Sequence, residues 1–513
     1  MPNRQGDTVF QLLKSLTKSE KRNFKLYVRR NSALSNLKVI QLFDALDKMT
    51  AYDEKILTRK HPQLRKPQLS NLKSHLYKLI LESLRLIKQE DHISLFLNEQ
   101  LDFAQILYSK GLYLQSLRIL DKAKELAKKH NQIIILQQII DFEKKIEGLY
   151  ITRSMQDRAD LLTEESAKNN KQLSIASQLS DLALQLYSWY IKNGVARNSK
   201  DLSEVKTFFE AHLPQRQDIT KGFYEQLYLY QTYAWYAFIR QDFLQHYRYS
   251  RKWVELFDQH PEMIEVETAH YIKGLHNQMA AHFDFRQIAE LKSCIEEFEK
   301  FTRRKRISTN ENYKILCFQY LYLAKINLHF IEGSFSEGLA LVPHIKDQLS
   351  KYGQFMDRHR ILIFYYKIAC LYFGSGHYDK ATDYLAQIIN WKTDLRSDLQ
   401  CYARLLHLIA HYELGNYDLM EYLIRSVYRY MAQMQNLSGV EEAMFQFLRQ
   451  SFSMRREEIT AAFEKLLKKI RKFENNRYEN RAFLYLDIIS WLESKLQKVD
   501  VQTVIRRKTA KTN

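Results

Sequence analysis

The sequence contains few of the residues that build tight turns. Its 513 residues include 13 glycines and 6 prolines, well below average usage. Because hairpins between strands depend on such residues, a sheet-rich fold is disfavoured. Helices joined by short polar connections remain, and a hydrophobic content of 45% is sufficient to bury a large core.

Cysteine is also scarce, and its spacing encodes no site. The four cysteines lie far apart and form no CxxC pair, so neither a zinc site nor a disulfide framework is predicted. We expect reduced, buried thiols. The cysteines are Cys294, Cys317, Cys370 and Cys401.

Long apolar runs are absent as well. The best candidate, the interrupted run 133–140, falls short of the roughly 18 residues that a membrane-spanning helix needs. Residues 1–16 are charged at Arg4, Asp7 and Lys14 and contain no apolar signal-peptide core. These two features predict a cytoplasmic protein without a transmembrane segment.

Motifs of catalysis are lacking too. The sequence contains no phosphate-binding GxxxxGK[ST] loop, no GxGxxG and no GxSxG turn. His407 and His411 are one helical turn apart but lack the glutamate of a zinc protease, and Glu267 with His270 forms a single ExxH. We therefore expect no enzyme, no cofactor and no metal site, although a site assembled from scattered residues stays open as an alternative.

Basic residues outnumber acidic ones at the two ends of the chain, whereas the two are balanced in between. Formal net charge is +19. Residues 1–90 hold 19 Lys and Arg against 8 Asp and Glu, and residues 451–513 hold 15 against 8. The intervening 360 residues hold 44 against 43, so the excess charge is terminal.

Two basic clusters near the N-terminus are candidate contacts for an anionic partner. Such a partner could be nucleic acid, an anionic membrane surface or an acidic protein, whereas the alternative is a solvated helix face. The basic residues Arg506, Arg507, Lys508 and Lys511 are predicted to be disordered. The candidate contacts are Lys18, Lys21, Arg22, Lys25, Arg29, Arg30, Arg59, Lys60, Arg65 and Lys66.

Helical periodicity begins near the N-terminus. Apolar residues of 9–16 predict a short first helix. Thr17 and Glu20 have capping-box spacing, which predicts a second helix from about Lys18. Later periodic segments at 39–49 and 68–88 predict two more helices. Residues 1–95 are therefore interpreted as a basic helical N-terminal module.

One segment carries a specific repeat pattern. Residues 365–388 read YYKIACLYFGSGHYDKATDYLAQI, with large residues, a turn glycine at Gly376 and small residues at Ala369 and Ala381. Large residues at these positions wedge between two antiparallel helices, and the small ones allow close approach. This spacing resembles a unit of the tetratricopeptide repeat (TPR) family.

Four further segments resemble the same unit. Their turns fall at Gly111, Gly333, Gly415 and Gln241, the last in place of glycine. Gly333 to Gly376 is 43 residues and Gly376 to Gly415 is 39, against about 34 in the standard unit. The resemblance implies an all-α fold, an irregular α-solenoid over residues 96–450, followed by a basic helical C-terminal cap over 451–513.

The resemblance also implies a binding groove. In the TPR family the first helix of each unit lines a concave groove that binds peptides, and aromatic anchors suit a peptide or amphipathic helix. The alternative is that these rings only pack against neighbouring helices. Carried over to the best-matched units, the groove residues are Tyr320, Asn327, Phe330, Tyr366, Phe373, Tyr402 and Tyr412.

The favoured function is therefore a non-catalytic scaffold that binds a protein or peptide. The alternative is a nucleic-acid-associated regulator that uses the basic ends of the chain. Aromatic residues interleaved with basic ones would favour nucleic acid, but the run 224–236 contains six aromatic residues and no basic one.

Overall fold

A computed structural model describes most of the chain. The described residues are 7–30, 34–62, 66–88, 92–149, 157–215, 221–353, 355–391, 397–434, 439–451, 454–474, 476 and 487–512. Within these ranges the protein is all-helical and contains no strand. None of the described helices is both long and apolar enough to cross a membrane.

The chain divides into two compact units, Met1–Lys171 and Gln172–Asn513. The division falls within helix α9 (Arg158–Asn193) and does not coincide with the predicted module boundaries. The other helices of the first unit are α1 (Thr8–Ser15), α2 (Lys18–Arg30), α3 (Leu34–Lys48), α4 (Glu54–Lys60), α5 (Lys66–Lys88), α6 (Ile93–Ser109), α7 (Tyr113–Lys129) and α8 (Ile133–Leu149).

The second unit contains the remaining helices. Its helices are α10 (Ser199–His212), α11 (Phe223–Ile239), α12 (Phe243–Gln259), α13 (Glu262–Val266), α14 (Thr268–Asp284), α15 (Ile288–Thr302), α16 (Lys305–Ser308), α17 (Glu311–Glu332), α18 (Phe335–Gly338), α19 (Val342–Tyr352), α20 (Arg358–Gly374), α21 (Tyr378–Ile389), α22 (Ser397–Glu413), α23 (Tyr417–Gln433), α24 (Gly439–Ser451), α25 (Arg456–Arg471), α26 (Ile488–Gln497) and α27 (Val501–Thr512). A short 3₁₀ turn, Leu339–Leu341, joins α18 to α19.

The N-terminal helices confirm the sequence predictions. The Thr17 hydroxyl accepts a hydrogen bond from the Glu20 amide (3.2 Å), and the Glu20 carboxylate accepts one from the Thr17 amide (2.8 Å). This reciprocal pair is the predicted capping box. Below it, Phe24 of α2 stacks on Phe43 of α3 at a ring distance of 4.6 Å, which anchors both helices in one core.

Neighbouring helices pair through one recurring turn. At Gly376 the backbone φ is +81°, the Gly376 amide donates to the Phe373 carbonyl, and the His377 amide donates to the Tyr372 carbonyl. These two bonds define a Schellman motif, which satisfies the last carbonyls of the first helix. The same pair of bonds and a positive φ recur at Gly111, Asn131, Gln241, Arg286 and Gly415.

Small residues set how closely the paired helices approach. Ala369 of α20 and Ala381 of α21 are both fully buried, as the repeat pattern predicts. Gly374 lies against the Phe335 ring so closely that an added Cβ would meet it at 2.3 Å. Such contacts leave no room for larger side chains.

The basic C-terminal residues form a helix where the sequence predicted disorder. Val501, Val504 and Ile505 are buried, and α27 packs on α17. The Arg506 guanidinium pairs with Glu337 (2.6 Å), and the Thr509 hydroxyl donates to the Ile331 carbonyl (2.8 Å). The last helix is thus fixed to a hairpin some 170 residues earlier.

The predicted burial of the cysteines is confirmed for three of the four. Cys317, Cys370 and Cys401 are buried, whereas Cys294 is partly exposed, and all four are free thiols. Burial raises the pKa of the Cys370 thiol to about 12, so this thiol stays protonated and behaves as a small apolar side chain.

Candidate functional site

The second unit encloses a cavity of about 210 Å³. Its walls are built largely by the first helices of successive hairpins: α11, α14, α17 and α20. Side chains from α9, from the beginning of α12 and from α22 also line it, together with Val195 and Gln241 of the connecting segments. A concave site lined mainly by aromatic residues with a few polar groups has the composition of a ligand pocket, although its volume is below the roughly 300 Å³ at which drug-sized pockets begin.

Aromatic rings form one wall of the cavity. The Trp235 indole of α11 lies between Tyr187 and Tyr190 of α9, at ring distances of 5.1 and 5.5 Å. Tyr190 also meets Phe238 edge-on at 5.3 Å. Because each ring is held by others, this wall is a preformed apolar surface.

Lys273 of α14 points its ammonium group at this wall. The Lys273 Nζ lies 5.6 Å from the centre of the Trp235 ring and 5.9 Å from those of Tyr187 and Trp253. No carboxylate among the described residues pairs with it. Burial, and secondarily the charge of Arg360, lowers the pKa of Lys273 to about 8, and Lys273 is one of the residues that line the cavity.

One turn further along α14, His276 stacks on Tyr320 of α17. The two rings are 4.1 Å apart and nearly parallel. The guanidinium of Arg360, on α20, lies 5.5 Å from the centre of the Tyr320 ring. Burial lowers the pKa of His276 well below its ordinary value, with further contributions from Arg360, His246, Lys273 and Lys367. His276 is therefore neutral at pH 7.

A second lysine, Lys367, lies two turns beyond Arg360 on α20. Its ammonium donates a hydrogen bond to the side-chain oxygen of Asn327 and lies 5.1 Å from the Phe330 ring and 5.7 Å from that of Phe283. Asn327 thereby fixes the position of the Lys367 charge at the cavity.

The cavity has a net positive charge. Lys273, Arg360 and Lys367 carry three positive charges, and Asp284 is the one carboxylate among the described lining residues. His246, 4.0 Å from Asp284, is neutral because burial lowers its pKa to about 4. At pH 7 the lining has a net charge of about +2.

The structure brings some of the predicted groove residues together. Tyr320, Asn327 and Tyr366 all line the cavity, and Phe330 lies beside it under the Lys367 ammonium. Phe373 is not part of the lining and makes an edge contact with Tyr378.

The last two predicted groove residues lie away from the cavity. The Tyr402 ring is partly buried against the core of the second unit. Tyr412 packs edge-on against Phe447 and Tyr417 and borders a separate, more open depression between α23 and the end of α24.

The sequence did not single out the cationic residues of the cavity. Lys273 and His276 are three residues apart, and Arg360 and Lys367 are seven apart, so each pair shares a helix face. The same spacing of seven relates Tyr320 to Asn327. Polar residues at that spacing on the first helix of a repeat would have been the available signal.

The N-terminal basic cluster is only partly exposed. Lys21 pairs with Asp47 and Lys25 with Asp44, both at 2.6 Å. The side chains of Lys18, Arg22, Arg29 and Arg30 on α2, and of Arg59 and Lys60 on α4, are exposed. Arg65 and the side chain of Lys66 lie outside the described residues.

The histidine pairs form local contacts. The Nε2 atoms of His407 and His411 are 3.3 Å apart, and Asn416 contacts His411 Nδ1 at 2.9 Å. His270 pairs with Glu267 at 2.8 Å, and Glu267 also accepts a hydrogen bond from Tyr224. Among the described residues no group of three or more His, Cys, Asp or Glu could hold a metal ion.

Comparison with known proteins gives no match: no family model, no curated protein and no solved structure matches this chain.

Proposed function

We propose that this chain is a divergent TPR-like α-solenoid that acts as a non-catalytic scaffold and binds a peptide or short helix in the cavity of its second unit. The observation that supports this proposal most strongly is that successive helix hairpins each contribute side chains to one concave site. The first helices α11, α14, α17 and α20 supply Trp235, Lys273, Tyr320 and Arg360 in turn.

The chemistry of the lining is suited to a peptide anchor. Aromatic side chains bury large apolar area at a low cost in conformational entropy, and they dominate binding energy at interfaces. Asn327 and the lysines add directional polar contacts. A side chain inserted here would lose most of its hydration and gain ring contacts on several sides.

Selection from a displayed peptide library on the full-length protein tests the proposal. A selected peptide should bind at least tenfold more weakly to Ala280→Phe, because the new ring fills space at the cavity wall. The same substitution at Ala289, which is exposed on α15, is the matched control and should leave affinity unchanged. Equal binding to both variants would place the peptide elsewhere.

The second candidate function, nucleic-acid binding, is favoured by one observation. Lys18, Arg22, Arg29 and Arg30 are exposed on a single helix, α2, where they could contact phosphates. At the C-terminal end, by contrast, Arg506 and Lys508 are paired with Glu337 and Glu493. The first unit is therefore the better place to test this function.

A further inference from the structure

The charge of the cavity specifies its ligand more narrowly than its shape does. Three cations surround a space that contains a single carboxylate. A neutral ligand would leave Lys273 facing rings and no anion, in surroundings that already disfavour its charged form. A ligand that carries two negative charges would neutralise the lining.

A phosphate monoester has the matching charge. At pH 7 such a group carries about −1.5 to −2 charges and three strong acceptor oxygens, whereas a carboxylate carries one charge and two oxygens. Arg360 offers a planar fork of donors suited to phosphate oxygens, and the lysines act as point charges. Asp357, 3.8 Å from the Arg360 Nε, is largely exposed, so water screens its opposing charge.

The aromatic rings beside these cations indicate which chemical group the phosphate is attached to. The Lys273 ammonium lies 5.6 Å from the centre of the Trp235 ring, so an anion that meets it also lies next to the aromatic wall. The His276 and Tyr320 stack faces the same space. Planar groups gain from offset stacking on such surfaces, which a flexible alkyl phosphate would not.

We propose that the cavity binds a phosphate monoester joined to a planar ring, with Lys273, Arg360 and Lys367 around the phosphate and Trp235 and Tyr320 against the ring. The proposal rests on the cavity being the binding site assigned under the proposed function. Two sources carry this chemistry: a phosphotyrosine side chain of a peptide and a nucleoside monophosphate.

Titration calorimetry of the full-length protein at pH 7 distinguishes the sources. The probes are the blocked peptide Ala-Ala-phosphotyrosine-Ala-Ala, its unphosphorylated counterpart, AMP and adenosine. At least one phosphorylated probe should bind at least tenfold more tightly than its unphosphorylated counterpart. The tighter of the two phosphorylated probes identifies the source.

Substitution of Lys273 by Met tests the assigned contact, since it removes the charge and keeps most of the side-chain volume. We expect Lys273→Met to weaken the phosphorylated probe at least tenfold and to leave its unphosphorylated counterpart unchanged. Lys367→Met alone should also weaken binding of the phosphorylated probe at least tenfold and leave binding of its unphosphorylated counterpart unchanged. Lys346→Met, at an exposed position on α19, is the matched control and should change neither.

Three outcomes would overturn the inference: no binding by any of the four probes, equal affinity with and without the phosphate, or full affinity in both Lys273→Met and Lys367→Met. A library peptide without phosphate that depends on the open cavity would leave the scaffold function standing and exclude the phosphate ligand. Lysine-dependent binding of AMP, with no peptide selected, would support the phosphate ligand and count against the scaffold.

Discussion

The guanidinium of Arg506 donates a hydrogen bond to the carbonyl oxygen of Gly333 over 2.9 Å, although 173 residues separate the two in sequence. Gly333 has a φ of +67° at the end of α17. A Cβ added there would meet the Gln502 carbonyl oxygen at 2.8 Å. The backbone turn and the packing of α27 therefore impose glycine at the same position.

Substitution of Gly333 by alanine tests how much this position contributes to stability. We expect Gly333→Ala to lower the free energy of unfolding of the second unit by about 2 to 4 kcal/mol, from the left-handed backbone and from displacement of α27. All five tryptophans lie in the second unit, so urea unfolding followed by tryptophan emission reports on it alone.

Gly376→Ala provides the control for this measurement. Gly376 has a φ of +81°, but its added Cβ would meet nothing within 4 Å. Only the backbone term applies, and the expected loss is about 1 to 2 kcal/mol. Equal losses at the two glycines would show that α27 adds no constraint at Gly333.

The first unit contains a buried ion-pair network. Lys124 pairs with Glu143 and Glu165, and Glu143, which is fully buried, also accepts from Arg158 at 3.0 Å. Burial raises the pKa of Glu143 even beside these cations. Lys124→Met should cost about 2 to 4 kcal/mol, because it leaves a buried carboxylate with one cation.

Lys128→Met is the matched change at the edge of the same network. Lys128 also pairs with Glu165, at 2.7 Å, but is 44% exposed, so the expected cost is below about 1 kcal/mol. Urea unfolding is followed by circular dichroism at 222 nm. Tryptophan emission should show no shift in either variant, and similar losses for both would contradict the role of burial.

Lys273→Met should make the unliganded protein more stable at pH 7. The pKa of Lys273 is about 8 in the folded protein, against 10.5 for the ordinary side chain. Keeping Lys273 protonated at pH 7 therefore lowers the stability of the folded state by about 1 to 3 kcal/mol. Met removes that cost and fits an aromatic environment. The unfolding free energies of wild type and variant are compared by tryptophan emission.

The same variant has a defined dependence on pH. Between pH 8 and 10.5 the unfolded wild type binds the proton that the folded form has released, so wild-type stability rises with pH from this source. The difference between Lys273→Met and wild type should shrink over that interval. Arg360, Lys367, His246, His276 and Asp284 face the same space but remain in both proteins. A difference that is constant with pH would refute the assigned titration.

Exposed cations of α2 should govern any nucleic-acid binding by the first unit. If the protein binds single-stranded nucleic acid, the double change of Lys18 and Arg22 to Gln should reduce the slope of log affinity against log salt by about 1.4, since each phosphate contact contributes about 0.7. Fluorescence anisotropy with a labelled oligonucleotide at several salt concentrations measures this slope.

Changing Lys21 and Lys25 to Gln removes the same charge from residues already paired with Asp47 and Asp44. This control should reduce the slope less. If both double variants reduced the salt slope equally, the net charge of the protein, and not specific contacts by α2, would account for binding. An absence of binding at low salt would exclude the nucleic-acid function.

Local signals in the sequence predicted much of the helical order. The capping box at Thr17 and the turn at Gly376 depend on residues close in sequence, and both are confirmed. The turn at Gln241 was also predicted, from the repeat pattern around it, whereas the equivalent turns at Asn131 and Arg286, which lack glycine, escaped prediction. Their hydrogen bonds nevertheless match those at Gly376.

Three lining residues, Tyr320, Asn327 and Tyr366, were predicted from the repeat resemblance, but the full lining was not, because it depends on packing across distant segments. Tyr187, Lys273 and Arg360 lie on three helices, and no spacing within one segment relates them. The C-terminal helix, in contrast, had a usable signal. Val501, Val504 and Ile505 follow helical spacing, and the prediction of disorder was wrong because it took the basic tail to have no apolar periodicity beside it.

The docking of α27 links the end of the chain to the cavity. It packs on the C-terminal end of α17, at Ile331 and Gly333, and the same helix carries Tyr320 and Asn327 of the cavity lining. A protease that trimmed residues 501–512 would therefore uncover the end of a helix that also lines the cavity. If the cavity binds a ligand as proposed, we expect loss of this dozen residues to lower both the stability of this hairpin and the affinity for that ligand.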